Sequence, residues 1–525
     1  MKEKIFLAPL AATLLAACLT KPASLPPPVL LEAPAPPAPP IPLEEKLAEA
    51  ESLLNKGGYV HLRGAYGLYR ELEAAGADRD RFAGPYARAT LLVAARAKEM
   101  GIRNDSYLAK ARELVENDPK PAFLVPAMGI TAAMPVATMG VWDDDPGRPE
   151  APETASYLEL MGTDLMTGAP TEPLQAYFRA LLLEASGRAD EARAGLDESL
   201  TAFPGSLLLR FKRAALPPPD ARLLEEILEQ EPEFAEAFLE RARLALAGGA
   251  LITAEIDFLQ ARESVPESPF IAILLAGVNF GTEEYDRSLD FYDETLDIAP
   301  SYKEALFGKA VCLSCLGRPV EAVPLFEELL ARGPALKGEC LYWLAAGLYD
   351  LGDAGRAAAE IEKAKRALPV GRVYTLAGKI AFEDGRPGDA EADLITAVNM
   401  DSGETDAFFL LGKLYALRKN WPESALNFEL AGHGYGFKED QIREKIAQIE
   451  SSSMSEDRKD RLLARKRFQL EKTRLTRATA CFNAAAGHHN AGVPEKALFW
   501  ARSAAAHPHF ADKVKDLLAL VTAGK

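Results

Sequence analysis

Two groups of residues in this 525-residue chain have types and spacing that could do chemistry. One is the pair Cys312-Leu-Ser-Cys315; the other is four histidines within 22 residues, His488-His489 and His507-Pro-His509. A C-x-x-C pair is redox-active when an exposed helix N-terminus lowers the pKa of one thiol, and it grips zinc when two more soft ligands join it. Here the apolar spacing places the pair in a middle turn of a helix, and the remaining body cysteines, Cys340 and Cys481, are distant in sequence. Packed core cysteines are therefore the reading set against a redox pair. The first histidine pair falls near the end of one helix and the second beyond the end of the antiparallel helix that follows. At 1.5 Å per residue the pairs stand ~13 Å apart, too far for one zinc at ~2.1 Å per ligand. No H-E-x-x-H, phosphate-binding loop, G-x-S-x-G or G-x-G-x-x-G after a strand is present. Acidic pairs such as Glu283-Glu284 and Glu327-Glu328 read as solvent faces of amphipathic helices. With no carrier for catalysis, the expectation is a non-enzyme that holds neither metal nor cofactor.

Composition narrows the classes further. With 48% apolar and 26% charged residues the chain can build cores, and its net charge of −17 argues against a nucleic-acid backbone as partner. Five cysteines are too few and too scattered for a disulfide framework.

The amino terminus reads as an address. Lys2 and Lys4 precede an apolar segment from Ile5 to Ala17, too short to span a membrane comfortably and of the right length for a secretory signal. Leu15-Ala16-Ala17-Cys18 resembles the lipobox of bacterial lipoproteins, which implies cleavage after residue 17 and acylation of Cys18. The rival is an ordinary signal peptide with a chance cysteine. One acyl chain anchors only marginally, and lipoproteins of this kind carry several. Leu19 after the cysteine, rather than aspartate, implies by the same resemblance an outer-membrane destination facing the periplasm. Residues 18–42 then form the lipidated cysteine and a tether with ten prolines between Leu19 and Pro42, which in extended form would reach roughly 70 Å.

What must position any site is a repeat. Pro266, Pro300 and Pro334 recur at intervals of 34; Ala242, Ala276 and Ala310 keep step with them, as do Ala254, Ser288 and Ala322, then Phe258, Tyr292 and Phe326. The pattern resembles the tetratricopeptide repeat, which implies an all-α, right-handed superhelical α-solenoid of antiparallel helix pairs. The match extends over 173–438, with a shortened unit from Leu207 to Glu233 turning at Pro217-Pro218-Pro219. Weaker helix pairs are expected over 43–120, around Gly57-Gly58 and Gly101, and a last unit with a capping helix over 478–525. Two insertions interrupt. Residues 121–172 open with an apolar stretch, Pro121 to Trp142, which reads as a lid over a groove, a membrane-dipping loop, or a segment packed along the solenoid. Residues 439–477 form a charged helical insertion with nine basic residues from Arg458 to Arg477, either a solvated face or a match for a phosphate-rich membrane or an acidic partner.

The resemblance also implies where partners bind: the concave face, lined by set positions of each first helix. Those positions hold Phe270, Ile273 and Phe280, then Phe307, Val311 and Cys315, then Tyr342 and Tyr349, then Arg372, Lys379 and Phe382, and finally Phe409 and Lys413. An apolar, aromatic floor with a cationic end suits an amphipathic helix or extended peptide bearing an acidic group. The alternative is that these residues pack against one another or against the Pro121 insertion. The lysine–asparagine pair of the family's dicarboxylate clamp occurs in no repeat. The expected function is thus a membrane-tethered scaffold for protein–protein interaction in the bacterial envelope, with partners in a transporter or an assembly complex. A periplasmic accessory of a solute transporter holding a small apolar acid is the second reading, and an enzyme the third.

Overall fold

Each 34-residue period folds into two antiparallel helices because it contains two apolar runs of helical spacing, each closed by a stop signal. The unit beginning at Ser268 shows how. Ser268 caps the first helix by accepting from the Ile271 N–H at 3.1 Å, and Pro269 occupies the first turn, where no intrahelical N–H is needed. A left-handed residue then turns the chain into the second helix. After most first helices that residue is glycine: Gly187, Gly249, Gly317, Gly352, Gly385 and Gly492, at φ between 70° and 79°. Two units depart from the rule, with Glu283 at φ 62° and Lys419 at φ 59°, each at a backbone cost of roughly 1–2 kcal/mol.

The computed structural model describes residues 42–117, 121–134, 136–137, 163–333, 336–452 and 454–523, and among them it contains helices and no strand. The body begins at Lys46; the residues through Glu45 form a separate unit, of which only 42–45 are described. Helices α1 (Leu43–Lys56), α2 (Tyr59–Ala74), α3 (Ala83–Glu99), α4 (Asp105–Asn117) and α5 (Leu124–Ala133) precede the array. The array pairs α6 (Pro173–Ala185) with α7 (Ala189–Ala202), α8 (Leu207–Ala215) with α9 (Ala221–Gln230), and α10 (Ala235–Ala247) with α11 (Leu251–Ser264). It continues with α12 (Pro269–Gly281) and α13 (Tyr285–Ile298), α14 (Lys303–Cys315) and α15 (Pro319–Arg332), α16 (Lys337–Asp350) and α17 (Ala354–Ala367), and α18 (Gly371–Glu383) and α19 (Pro387–Met400). The last units are α20 (Thr405–Leu417) with α21 (Trp421–Ser451), and α22 (Glu456–Asn490) with α23 (Pro494–Ala505), closed by α24 (Ala511–Ala523). This is an all-α repeat solenoid.

The repeating small residues are where helices cross. Ala242, Ala276, Ala310, Ala254, Ser288 and Ala322 are all fully buried, and the Ser288 hydroxyl is satisfied by donating to the Ala276 carbonyl at 2.7 Å. At Gly412 the approach leaves no room for a side chain: a Cβ there would lie 2.8 Å from the Phe428 ring, so only glycine lets α21 close on α20.

In three regions the structure adds to the expectations. The weak pairs of 43–120 exist nearly as drawn but do not simply extend the array at its end; they fold back onto it. The described part of the Pro121 stretch is a short helix, α5, with Leu124, Ala127 and Ile130 buried against the body. The charged stretch 439–477 is not a separate insertion. It is the extension of α21 and α22 into a hairpin of 31 and 35 residues. No described helix is long and apolar enough to cross a membrane. The lipobox, Cys18 and the proline tether lie outside the described residues.

Candidate functional site

The expected groove divides into a filled part and an open part. The filled part runs from α6 to α12, where α2, α3 and the turns beside them lie on the first helices of four consecutive units. Glycines make the approach possible. A Cβ on Gly57 would sit 2.9 Å from Leu208 Cβ, and one on Gly101 (φ 72°) 2.4 Å from Phe270 Cβ. Polar contacts key the fit. The Tyr59 N–H donates to Glu236 Oε1 at 2.8 Å, Ser268 Oγ to the Met100 carbonyl at 2.5 Å, and Tyr177 Oη to Glu99 Oε1 at 3.0 Å. At the centre, Arg96 is wholly buried between the rings of Tyr177 and Phe211, 5.1 and 4.6 Å from their centroids. It pairs with Glu99 at 2.6 Å and reaches Glu236 only at 3.6 Å. Burial pushes Glu236 above the ordinary carboxylate range against the pull of Arg96, whereas Arg96 and Lys212 outweigh burial at Glu99 and hold it below.

Phe270 and Ile273 are therefore not groove residues open to a partner. Each is 2% exposed, and Arg243 covers the Phe270 ring at 5.6 Å. Val311 is likewise buried, at 5%. It belongs to the core between units, because the first-helix face is narrower than the family positions imply.

From Phe280 onward the face is partly open. Phe280, Phe307, Tyr342, Tyr349, Phe382 and Phe409 are half-buried, and neighbouring units supply cations to three of the rings. Arg372 lies 5.0 Å over Tyr342, Lys379 4.4 Å over Tyr349, and Lys413 5.3 Å over Phe382, so each cation sits on an aromatic ring of the unit before it. Arg372 also pairs with Glu339, at 2.5 Å. Lys379 and Lys413 have no carboxylate within ion-pair distance among the described residues. Beside Lys413 a cavity of about 570 Å³ opens between α18, α20, α21 and α22, lined by Phe382, Leu417, Trp421, Phe428 and Asn483.

The reactive residue types are engaged in packing. The Cys312 thiol donates to Ser288 Oγ at 3.4 Å, and burial pushes its pKa up to about 12. Cys315 is exposed, and its pKa too is raised by burial of the sulfur. His488 meets Glu429 at 2.7 Å, a carboxylate that also accepts from Trp500 Nε1 at 2.6 Å. His507 Nδ1 accepts from the His509 N–H instead. Among the described residues no group of three His, Cys, Asp or Glu side chains is arranged to hold a metal.

Sequence reasoning missed the partners of the basic hairpin. Glu283 and Glu284 are not solvent-face residues: Glu284 is 7% exposed, and both bind Arg and Lys side chains of the α21–α22 hairpin. A signal was available. In the 34-residue register Glu283 falls in series with Gly249 and Gly317, an acidic residue where the turn calls for glycine.

A tetratricopeptide-repeat family profile matches residues 375–431, within α18 to α21. No curated protein matches the chain. Among solved structures, a tetratricopeptide repeat protein from Parabacteroides merdae is similar at 20% identity and a TM-score of 0.33, over 46% of this chain and 99% of that one. PilW, described as a type IV pilus biogenesis factor, is 17% identical at a TM-score of 0.35, covering 37% and 90%. YrrB, described as having an unusual peptide-binding site, is 16% identical at 0.31, covering 36% and 96%. At these scores the likenesses carry no argument about function. On its own architecture the chain is an all-α solenoid of helix pairs, of which residues 375–431 match the tetratricopeptide-repeat family profile.

Proposed function

We propose that this protein is a non-enzymatic scaffold, lipid-tethered through Cys18 to the periplasmic face of a bacterial outer membrane. It captures a protein partner by an apolar, acidic segment laid along the strip from Phe280 to Phe409. The partner belongs to an envelope transporter or assembly complex. One observation carries the reading. In a chain of net charge −17, Lys379 and Lys413 hold their ammonium groups over aromatic rings, with no carboxylate within ion-pair distance among the described residues. A peptide carboxylate arriving there would meet a cation that has little to give up, and its apolar neighbours would cover half-buried rings.

A photo-crosslinking residue in place of Tyr342 tests this in intact cells. The expected result is one captured protein, lost when Lys379→Glu and Lys413→Glu are introduced together; no capture, or capture indifferent to those charges, would overturn it. Cys18→Ala is expected to release the protein into the soluble fraction, and continued membrane retention would refute the lipid as sole anchor.

The cavity of about 570 Å³ beside Lys413 favours a second reading, a small apolar acid bound for a solute transporter. That reading predicts a carboxylic acid in denatured extracts of the purified protein, detected by mass spectrometry.

A further inference from the structure

The hairpin of α21 and α22 meets the array at both ends of the open strip. At the far end Tyr435 donates to Asp406 at 2.5 Å and packs on Phe409, 6.2 Å between ring centroids. At the near end Arg465 lies 5.3 Å over Tyr285, whose ring is 5.3 Å from Phe280. The units α14 to α19 fall between these two contacts in the chain. The hairpin therefore closes the stretch from α12 to α20 into a loop, with the strip inside its span.

The near joint is ionic. Arg458 reaches Glu255 at 2.6 Å and donates from Nε to Glu284, also at 2.6 Å, with side-chain exposures of 12%, 2% and 6%. Lys466, 4% exposed, pairs with Glu283 at 2.5 Å, and Lys445 joins it at 3.1 Å. Arg465 donates to the Glu283 carbonyl and lies 3.4 Å from Asp286. None of the apolar clusters of described residues includes a residue between 436 and 477. Ile442, Leu462 and Leu463 are the buried apolar residues of this stretch among the described ones, and none of them joins a cluster of the array, so the ionic contacts carry the joint.

Glu283 adds an independent sign. It holds the left-handed turn position at φ 62°, where six other units use glycine, and its side chain is the one that Lys445 and Lys466 grip. The backbone strain at this turn thus coincides with the point of grip.

We infer that the α21–α22 hairpin is a latch over the binding strip, with its catch at Glu283, Glu284 and Glu255. A continuous partner chain enters the strip from the side only when this catch releases. The inference rests on the strip being the partner site, and it adds control of access to it.

Hydrogen exchange on the full chain reads the catch without a partner. Lys466→Glu places a third acid beside Glu283 and Glu284, and Glu283→Gly removes the grip while giving the turn its favoured residue. In both, amides of 440–470 are expected to exchange about tenfold faster or more, while those of 478–505 keep their wild-type rate. The double charge swap Glu283→Lys with Lys466→Glu is expected to restore protection. Unchanged exchange in both single variants, or equal acceleration across 478–505, overturns the latch.

Access is read with a fluorescein-labelled peptide of about 15 residues, composed of Glu, Leu and Phe with a free C-terminus. Its association rate is expected to rise roughly tenfold in Lys466→Glu and to return in the charge swap. An unchanged rate despite faster exchange overturns the gate. Failure of the peptide to bind any form, with exchange responding as expected, overturns the strip as the site and is thereby told apart from a catch that never opens.

Discussion

From α6 to α12 the first-helix face is covered by the chain's own α2 and α3; from α14 to α20 the same face carries half-buried rings beside lysines. Both stretches are built on one repeat and meet the same packing rules. The difference lies in what else the chain brings to each. The covered stretch is keyed by glycines that admit a second layer and by a buried arginine that must be paired. The open stretch keeps its cations on aromatic faces, where each contact contributes about 0.5–1 kcal/mol and leaves the outer side free for a ligand. A repeat array of this kind can spend one half of its face on its own stability and keep the other for binding.

Removing the central key should have the largest effect. Arg96→Met leaves Glu236 buried without its cation and removes the closest cation from the partly buried Glu99, and a loss of about 3–5 kcal/mol is expected in denaturant unfolding, with early proteolytic release of α1–α5. A loss below about 1 kcal/mol would show that the covering layer is not held by this residue.

A matched pair of truncations sharpens the contrast. Phe270→Ala, in the covered half, is expected to destabilise by about 3–5 kcal/mol; Tyr349→Ala, in the open half, by about 1 kcal/mol. Equal losses in the two variants would erase the distinction between filled and open faces.

Lys379→Glu with Lys413→Glu should lower stability by only about 1–2 kcal/mol, the loss of two cation–ring contacts, because neither ammonium closes an ion pair among the described residues. Affinity for an acidic peptide, measured by titration calorimetry, should fall at least about tenfold, or roughly 1.4 kcal/mol. Stability lost without loss of affinity would return both lysines to a packing role.

The smallest effect expected is on pH. Burial alone would raise the Glu283 pKa, but Lys466 and Lys445 outweigh it and hold it below the ordinary value of 4.5. At Glu439 burial is likewise outweighed by Arg477 and Arg474. A carboxylate with a depressed folded pKa contributes stability that is full above its unfolded value and lost as pH falls through the folded one. Exchange of 440–470 should therefore stay slow above the ordinary carboxylate range and quicken below it, sooner than exchange of 478–505. Equal acid sensitivity of the two segments would show that these pairs do not govern the hairpin.

Much of the architecture was legible in residue spacing. The pair expected around Gly57-Gly58 forms as α1 and α2 on either side of that turn, the shortened unit after Leu207 turns through its prolines, and the recurring alanines are the buried crossings. Spacing failed where two distant segments meet. Phe270 and Tyr342 both lie on the inward face of first helices by the family positions, yet one lies under Gly101 and the other under Arg372. The basic run from Arg458 to Arg477 was visible as charge, but beyond local partners such as Glu456 and Glu450 the acids that dock it lie 35 or more residues away, at Glu439, Glu255, Glu283 and Glu284. Glu283 could have been flagged from the register alone, since glycine is the residue that tolerates its backbone angle.

By itself the sequence determined the helix pairs, their period, their turns and the residues at which they cross, since these follow from hydrogen bonds and apolar faces within a few turns of helix. Only the tertiary structure decided which part of the repeated face is covered and which is open. That choice rests on contacts such as Tyr59 to Glu236, Ser268 to Met100 and Lys466 to Glu283, between residues 177, 168 and 183 positions apart. Periodicity states which side of a helix is apolar; the path of the whole chain settles what lies against it.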